Sequence, residues 1–144
     1  MFSKACEYAI RATLLIASRS LEGKRSSVKD IADATASPVA FTAKVLQQLN
    51  RGGIVQSVQG KQGGFEISRE QIEKTHLSQI VEIMDGDRIF TGCGLGLHTC
   101  NALKPCPMHE RFALVRNQLK EMLESTTLLE LTLGLKDGIT FLKR

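Results

Sequence analysis

The sequence has no long hydrophobic run: no stretch approaches the roughly 18 apolar residues that a membrane-spanning helix needs. Its first residues, MFSKACEYAIRA, lack the apolar core and the small-residue cleavage site of a signal peptide. We therefore expect a cytoplasmic protein without a membrane contact. In that reducing compartment, clustered cysteines more often bind metal than form disulfides.

Catalytic motifs are also missing. We recognise no motif in the sequence that pairs two carboxylates for acid–base catalysis, places a nucleophile beside a base or forms a nucleotide-binding loop. No Ser or Thr follows Lys61 as it would in a phosphate-binding loop, and the glycines of residues 92–96 lack the spacing of a dinucleotide-binding loop. The sequence thus predicts that the protein is not an enzyme. With 144 residues, 42% of them apolar and none Trp, it can form one domain with a modest core, or a small domain with an arm.

The charge is distributed unevenly along the chain. Residues 1–69 contain ten Lys and Arg against five Asp and Glu, whereas residues 70–144 contain nine against ten. A basic half joined to a neutral half indicates a part that binds a polyanion and a separate part for regulation or assembly. Solvated surface lysines would explain the charge equally well.

Helix start signals divide the first part of the chain. Ser3 is a predicted N-cap for a core-facing helix at residues 4–18. Ser27 and Asp30 form a predicted capping box for a second, short helix that ends near residues 35–37.

The third predicted helix, residues 38–51, has two different faces. Ser37 is its predicted N-cap, and Pro38 takes the first helical position, where a missing N–H is not needed. The apolar face contains Phe41, Val45, Leu46 and Leu49. The opposite face starts with small residues, which allow a close approach, and continues with residues that can contact bases or phosphates: Ala40, Ala43, Lys44, Gln47 and Arg51. Two short helices behind a longer one are typical of a helix-turn-helix, although an ordinary three-helix core is the alternative.

A predicted β-hairpin follows this helix. Residues 54–59 form one strand, residues 60–64 a glycine-rich tip with Lys61, and residues 65–67 the return strand. Glycines let the backbone come close to a partner, and a lysine can meet a phosphate. The order of three helices and a hairpin predicts a winged helix that binds double-stranded DNA. The predicted contact residues are Ser27, Pro38, Ala40, Ala43, Lys44, Gln47, Arg51, Gln59, Lys61, Gln62 and Gly63.

The second half begins with two short predicted helices. The first has Ser68 and Gln71 as a capping box, and the second starts at Ser78 and ends at residues 85–86. A glycine-broken loop then carries four soft or borderline metal ligands within seventeen residues: Cys93, Cys100, Cys106 and His109. Thiolates and imidazole suit zinc as well as an iron-sulfur cluster, and the ligand types do not choose between them.

One further cysteine and one further histidine are weaker candidates for metal ligands. Cys6 lies near apolar residues of the first helix, so we expect it to be buried rather than a ligand. His98 could replace His109, but we expect it to face solvent.

The helix after the loop has a heptad seam, with apolar residues spaced four, three, four and three apart. Such a seam packs best against a second helix and predicts a homodimer. It consists of Met108, Phe112, Val115, Leu119 and Met122. A last short helix is predicted at residues 128–133.

Several motifs together resemble the bacterial winged-helix transcription regulators that include IscR, NsrR and CymR. They are SKACEYAIRA, IADATASP, AFTAKVLQQLNRGGIV, SVQGKQGGF, and the cysteine-containing loop before a long helix. The resemblance covers residues 1–133 and is most specific in residues 28–68. It implies a mainly α fold with a small β-hairpin wing, a winged helix-turn-helix domain plus a long dimerisation helix. It also implies a homodimer on a palindromic operator and an iron-sulfur cluster that alters DNA affinity.

The resemblance also carries ligand positions. Cys93, Cys100 and Cys106 fall on the family's three cysteines, and His109 falls on the histidine of the IscR branch. Six residues separate Cys93 from Cys100, where the common pattern has five, so a two-iron and a four-iron cluster both stay open. Glu7 of the partner subunit is an alternative fourth ligand, because other branches use an acidic residue at that position.

The sequence therefore predicts four segments: a DNA-binding domain at residues 1–84, a cluster-binding loop at 85–107, the dimerisation helix with a short C-terminal helix at 107–134, and a tail at 135–144. The leading hypothesis is a dimeric, sequence-specific regulator, a repressor, that senses iron-sulfur, redox or nitric oxide status. A zinc-stapled or thiol-based regulator is one alternative. An iron-sulfur protein that acts through a protein partner is another.

Overall fold

The computed structural model describes residues 1–143 as a mainly helical protein with one small antiparallel hairpin. The hairpin pairs Gln56 with Glu66 and Val58 with Gly64. No helix within these residues is both long enough and apolar enough to cross a bilayer. The elements in chain order are α1 (Lys4–Leu21), α2 (Val28–Thr35), α3 (Val39–Arg51), β1 (Gln56–Val58), β2 (Gly64–Glu66), α4 (Arg69–Lys74), α5 (Leu77–Asp85), α6 (Arg88–Thr91), α7 (His109–Ser125) and α8 (Leu128–Lys136).

One hydrophobic core joins these helices. Its largest fully buried aliphatic side chains come from α1 to α5, α7, α8 and the segment before β1, and each stabilises the fold by about 1.5–3 kcal/mol. They are Ile16, Ile31, Leu46, Leu49, Ile54, Val55, Ile72, Ile80, Val81, Leu123 and Leu128.

The predicted caps of α1 and α2 are confirmed. The Ser3 hydroxyl accepts a hydrogen bond from the Cys6 N–H at 3.1 Å. Ser27 and Asp30 form the reciprocal capping box, with the Asp30 N–H donating to the Ser27 hydroxyl at 3.1 Å. Both signals are local in sequence, so they could be identified without knowledge of the tertiary structure.

The start of α3 corrects the prediction that Ser37 is its N-cap. Pro38 is the N-cap, without a capping side chain, and its carbonyl accepts from the Thr42 N–H at 2.9 Å. The Ser37 hydroxyl instead bonds the hydroxyls of Thr35 and Thr42. Ala36, with a φ of 51°, ends α2 in the left-handed region and turns Ser37 toward those partners.

The wing contains a partner that the sequence did not reveal. Ser26 pairs with Phe65 as a single-residue third strand: the Ser26 N–H donates to the Phe65 carbonyl at 3.0 Å, and the Phe65 N–H donates back at 2.8 Å. Next to it, Gly64 has a φ of 136°, and a Cβ atom there would lie 2.7 Å from the Ser26 carbonyl oxygen. The wing is therefore fixed to the segment before α2.

Three later boundaries also differ from the prediction. α5 begins at Leu77 rather than Ser78, because His76 is its N-cap and donates its N–H to the Gln79 side chain at 2.8 Å. The four-residue α6 was not predicted, and α8 continues to Lys136. The predicted tail thus begins inside α8, and Arg144 lies outside the described residues.

A pair of backbone hydrogen bonds fixes the C-terminal end of α7. The Leu77 N–H donates to the Thr126 carbonyl at 3.0 Å, and the Leu128 N–H donates to the Thr75 carbonyl at 2.9 Å. Leu123, on the last turns of α7, is fully buried. The N-terminal end of α7 instead carries the cysteine-containing loop.

Candidate nucleic-acid interface and metal-ligand loop

The predicted DNA-contacting face of α3 lies in solvent. Its residues project opposite the buried Val45 and Leu49, because α3 has 3.6 residues per turn. Ala40, Lys44, Gln47 and Arg51 are exposed, as is Pro38, whereas Ala43 is half-buried. Within residues 1–143, Lys44 and Arg51 form no ion pair, so no neighbouring carboxylate neutralises this face.

The face is wider than the sequence predicted. Val39 is 53% exposed at the first position of α3, and Gln48 and Asn50 are exposed further along. Val39 was missed because an apolar residue at the start of a helix is usually counted as core. Its exposure could have been inferred from the sequence, because the helical period places Val39 well away from the buried Val45.

Contacts with α1 position α3. The rings of Tyr8 and Phe41 meet edge to face with centroids 5.3 Å apart, and the Arg11 guanidinium lies 4.4 Å from the Tyr8 ring centroid. Such aromatic pairs contribute about 0.5–1.5 kcal/mol beyond their buried area. The first turns of α3 are therefore fixed by packing rather than by a capping side chain.

Arg25 holds the wing tip and was not predicted as a site residue. Its Nη1 donates to the Gln62 carbonyl at 3.1 Å, and its Nε donates to Glu66 Oε2 at 2.9 Å. Gln59, Lys61 and Gln62 are exposed at the tip, Gly63 is half-buried, and Ser27 is exposed at the start of α2. The sequence feature that could have drawn attention to Arg25 is the basic pair at residues 24–25, directly before the capping box.

The loop brings its four predicted ligands together as two pairs. Cys100 Sγ lies 3.4 Å from His109 Nδ1, and Cys106 lies close enough to Cys93 to contribute to the lowered pKa of the Cys93 thiol. All four side chains are half-buried. Within residues 1–143, no three His, Cys, Asp or Glu side chains converge as a preformed metal site.

The surroundings of Cys93 favour its thiolate. The backbone N–H groups of Leu95 and Leu97 lower the pKa of the Cys93 thiol, with smaller contributions from Cys106 and Gly96, against the opposing effect of burial. Cys93 and Cys100 also line one cavity of about 570 Å³. Three sulfurs and an imidazole nitrogen are a donor set suited to a thiolate-bound metal or cluster.

Comparison with known proteins decides the family. The Rrf2 family model, described as an iron-dependent transcriptional regulator, matches residues 2–133. The chain belongs to the Rrf2 family. Its members regulate transcription, so this chain is a DNA-binding transcriptional regulator and not an enzyme.

Two relatives of this Rrf2 regulator are similar to it in sequence over most of its length. A protein of Aquifex aeolicus, named as a candidate HTH-type transcriptional regulator, is 29% identical over 133 residues, which are 91% of this chain and 90% of that protein. Protein aau3 of Rhizobium meliloti is 28% identical over 127 residues, 88% of this chain and 80% of that protein.

Solved structures confirm the winged-helix fold. CymR (YrzC), the global cysteine regulator of B. subtilis, has a TM-score of 0.74 at 20% identity and covers 92% of this chain and 95% of its own. IscR of T. potens also has a TM-score of 0.74, at 18% identity, and covers 99% of this chain and 93% of its own. The predicted family and fold class are thereby confirmed.

The remaining candidate ligands of this Rrf2 regulator have different surroundings. Cys6 is fully buried, as predicted, and burial, followed by the charge and hydrogen bond of Asp85 and the charge of Glu7, raises the pKa of its thiol to about 12. Glu7 is half-buried on α1, with Lys4 Nζ 3.4 Å from its carboxylate. His98 is exposed, as predicted, and lines the same cavity as Cys93.

Some residues of the predicted α7 seam pack against the same chain, whereas others are exposed to solvent. Phe112 and Leu119 are half-buried, whereas Met108, Val115 and Met122 are 37%, 60% and 45% exposed. Leu114, which was not predicted, is 62% exposed. The three exposed seam residues recur every seven residues, so they form one apolar strip along the helix.

Proposed function

We propose that this Rrf2 regulator is a cytoplasmic homodimer that binds a palindromic operator as a repressor and responds to iron-sulfur, redox or nitric oxide status. The proposed ligands of its iron-sulfur cluster are Cys93, Cys100, Cys106 and His109. One observation carries the proposal: a single exposed loop holds Cys100 beside His109 and Cys93 beside Cys106, directly before the helix with the apolar strip.

The DNA-binding part rests on the outward face of α3 and on the wing. Gln47 can bond base edges, and Lys44, Arg51 and Lys61 can meet phosphates, since none of these cations forms an ion pair within residues 1–143. A two-fold dimer presents two such faces. Its half-sites would lie about 34 Å apart, or a multiple of this, in a palindrome.

The dimer part rests on the exposed strip of Met108, Val115 and Met122. A second copy of the same helix is the proposed occupant, because heptad spacing matches a partner helix of equal period. Glu7 of the partner subunit then remains the alternative fourth ligand.

When bound, an iron-sulfur cluster supplies a centre that changes with iron supply, oxidants or nitric oxide. The residues of this chain would hold such a cluster and connect it to α7. The backbone N–H groups around Cys93 favour its thiolate, and His109 belongs to both the ligand set and α7. A change in the loop therefore reaches the N-terminal end of the proposed dimer helix directly.

Anaerobic purification tests the cluster. We expect a coloured protein that contains iron and sulfide, and we expect the triple variant C93S/C100S/C106S to lose the visible absorption. Cys6→Ala is the matched control and should retain it. A colourless, iron-free wild-type protein would contradict the cluster.

Selection from random double-stranded oligonucleotides tests the DNA-binding part. We expect one enriched palindrome, whose affinity falls steeply with salt and differs between the cluster-loaded and cluster-free protein. Selection without a preferred sequence would favour action through a protein partner.

A thiol switch is a second candidate, favoured by the proximity of Cys106 to Cys93 and by the lowered pKa of the Cys93 thiol. A peroxide would oxidise the Cys93 thiolate to a sulfenic acid, and the Cys106 thiol would displace water from it to form a disulfide. Mass spectrometry of peroxide-treated, metal-free protein should then find the 93–106 crosslink, and Cys106→Ser should abolish it. Zinc in the purified protein, without visible absorption, would instead indicate a zinc-stapled loop.

A further inference from the structure

Three residues of α7 hold the ligand loop from one face of the helix. His109, Phe112 and Arg116 are spaced three and four residues apart, so they project in nearly the same direction. His109 contacts Cys100, and Phe112 packs against Gly94, where a Cβ atom would lie 2.5 Å from the Phe112 ring. Arg116 completes this face.

Arg116 contacts the loop at two separate points. Its Nη1 donates to the Gly92 carbonyl at 2.5 Å, and its Nη2 donates to Cys100 Sγ at 3.4 Å. Gly92 directly precedes Cys93, so one guanidinium fixes the backbone beside one proposed ligand and the sulfur of another. Arg116 is half-buried and forms no ion pair within residues 1–143.

The two contacts require the forked shape of arginine. A guanidinium presents several N–H donors in a fixed plane, whereas a lysine presents one compact ammonium group. Hydrogen bonds from a charged donor are also stronger than neutral ones. A lysine at this position can therefore hold the Gly92 carbonyl or the Cys100 sulfur, but not both in this geometry.

We propose that Arg116 is a positioning residue that fastens the ligand loop to α7 and keeps Cys100 beside His109. Its relation to a cluster rests on the proposed function, whereas its fastening of the loop does not. Because Val115 of the exposed strip is the adjacent residue, the same contact connects the ligand loop with the proposed dimer helix.

Amide hydrogen exchange of the metal-free protein tests the fastening. The Gly92 N–H donates to the Arg88 carbonyl at 2.8 Å, and the Gly96 N–H donates to the Cys93 carbonyl at 3.0 Å, so both amides report on the order of the loop. We expect Arg116→Gln to speed their exchange by about tenfold, the factor that one hydrogen bond to a charged group supports. Arg116→Lys should fall between the wild type and Arg116→Gln.

The matched control is Lys120→Gln, which removes a cation one turn further along α7, where Lys120 pairs with Glu124 at 3.8 Å. It should exchange like the wild type. Circular dichroism and the melting temperature verify the fold of each variant. Equal exchange at Gly92 and Gly96 in the wild type and both Arg116 variants would overturn the proposal, as would equal acceleration by the Lys120 variant.

Reconstitution with iron and sulfide tests the relation to the ligands. We expect the visible absorption of Arg116→Gln to decay several-fold faster in air than that of the wild type and Lys120→Gln, with a more negative reduction potential because a nearby cation is lost. Unchanged decay and potential would overturn the role toward the ligands. If every variant, including the wild type, fails to bind iron, the cluster proposal is wrong, and hydrogen exchange still decides whether Arg116 fastens the loop.

Discussion

At the scale of single residues, Gln47 and Lys44 lie on the same exposed face of α3 but are expected to contact different parts of the DNA. We predict that Gln47→Ala reduces discrimination at one operator position by about 1–3 kcal/mol, because an amide bonds base edges. Lys44→Ala should instead weaken all sequences similarly and lower the salt slope of log Kd by about one. Binding titrations at several salt concentrations measure both effects. Equal effects of the two variants on specificity would contradict these roles.

Asp30 gives a pH-dependent prediction. The Ser27 hydroxyl and then the Ser27 N–H lower the pKa of Asp30 from 3.8. A lowered folded-state pKa contributes stability above the unfolded-state value, and this contribution disappears as the pH falls through the folded-state pKa. Asp30→Asn should therefore be less stable than the wild type at pH 7, and the difference should shrink from about pH 4 downward. Urea unfolding at a series of pH values measures this difference, and a constant difference would contradict it.

The residues that sequence reasoning missed have two causes. Arg25 and Arg116 act through partners that lie far away in the sequence. Val39 was counted as core although its position in the helical period already indicated exposure. The helical period was likewise enough to place Gln47 and Lys44 on the exposed face of α3. Exposure on a helix follows from local geometry, whereas a hydrogen bond over 24 residues does not.

At the scale of elements, the wing depends on Gly64. We predict that Gly64→Ala destabilises the protein by about 1–3 kcal/mol, because alanine disfavours its positive φ and the added Cβ meets the Ser26 carbonyl. Gly60→Ala is the matched control: Gly60 also has a positive φ, of 102°, but a Cβ there meets nothing within 4 Å. Chemical unfolding should find a larger loss for Gly64→Ala, and equal losses would show that the contact with Ser26 does not matter.

Helix boundaries were predictable where the signal was local. Ser3, Ser27 and Ser68 cap helices through residues three positions away, and all three caps exist. Ser37 failed because its hydroxyl bonds Thr42 rather than a helix N–H. The Ser26 strand was missed because its partner is Phe65.

At the scale of the whole molecule, the exposed strip of α7 decides the predicted assembly. We predict that Val115→Glu converts a dimer into a monomer, because it places a charge in an apolar helix contact while its side chain leaves the chain's own core untouched. Asn117→Glu, on another exposed face of α7, is the matched control and should stay dimeric. Light scattering gives the mass, and circular dichroism verifies that both variants fold. A dimeric Val115→Glu variant would place the interface elsewhere.

Ligand types could be proposed from the sequence, but their arrangement could not. Residue type and spacing predicted Cys93, Cys100, Cys106 and His109 as ligands, which stays a prediction, and the structure places Cys100 beside His109 and Cys106 near Cys93. Spacing could not predict which ligand meets which, because a loop of this length without regular structure has many conformations. The anchor from Arg116 selects among them through tertiary contacts.

The strongest attachment of α7 lies at its C-terminal end. The backbone bonds at Thr75 and Thr126 and the buried Leu123 hold that end, and the opposite end of the 17-residue helix lies about 26 Å away. A tilt of only a few degrees about the attached end moves the far end by more than an ångström. A rearrangement of the cysteine thiols would therefore act at the end of α7 that lies farthest from these contacts.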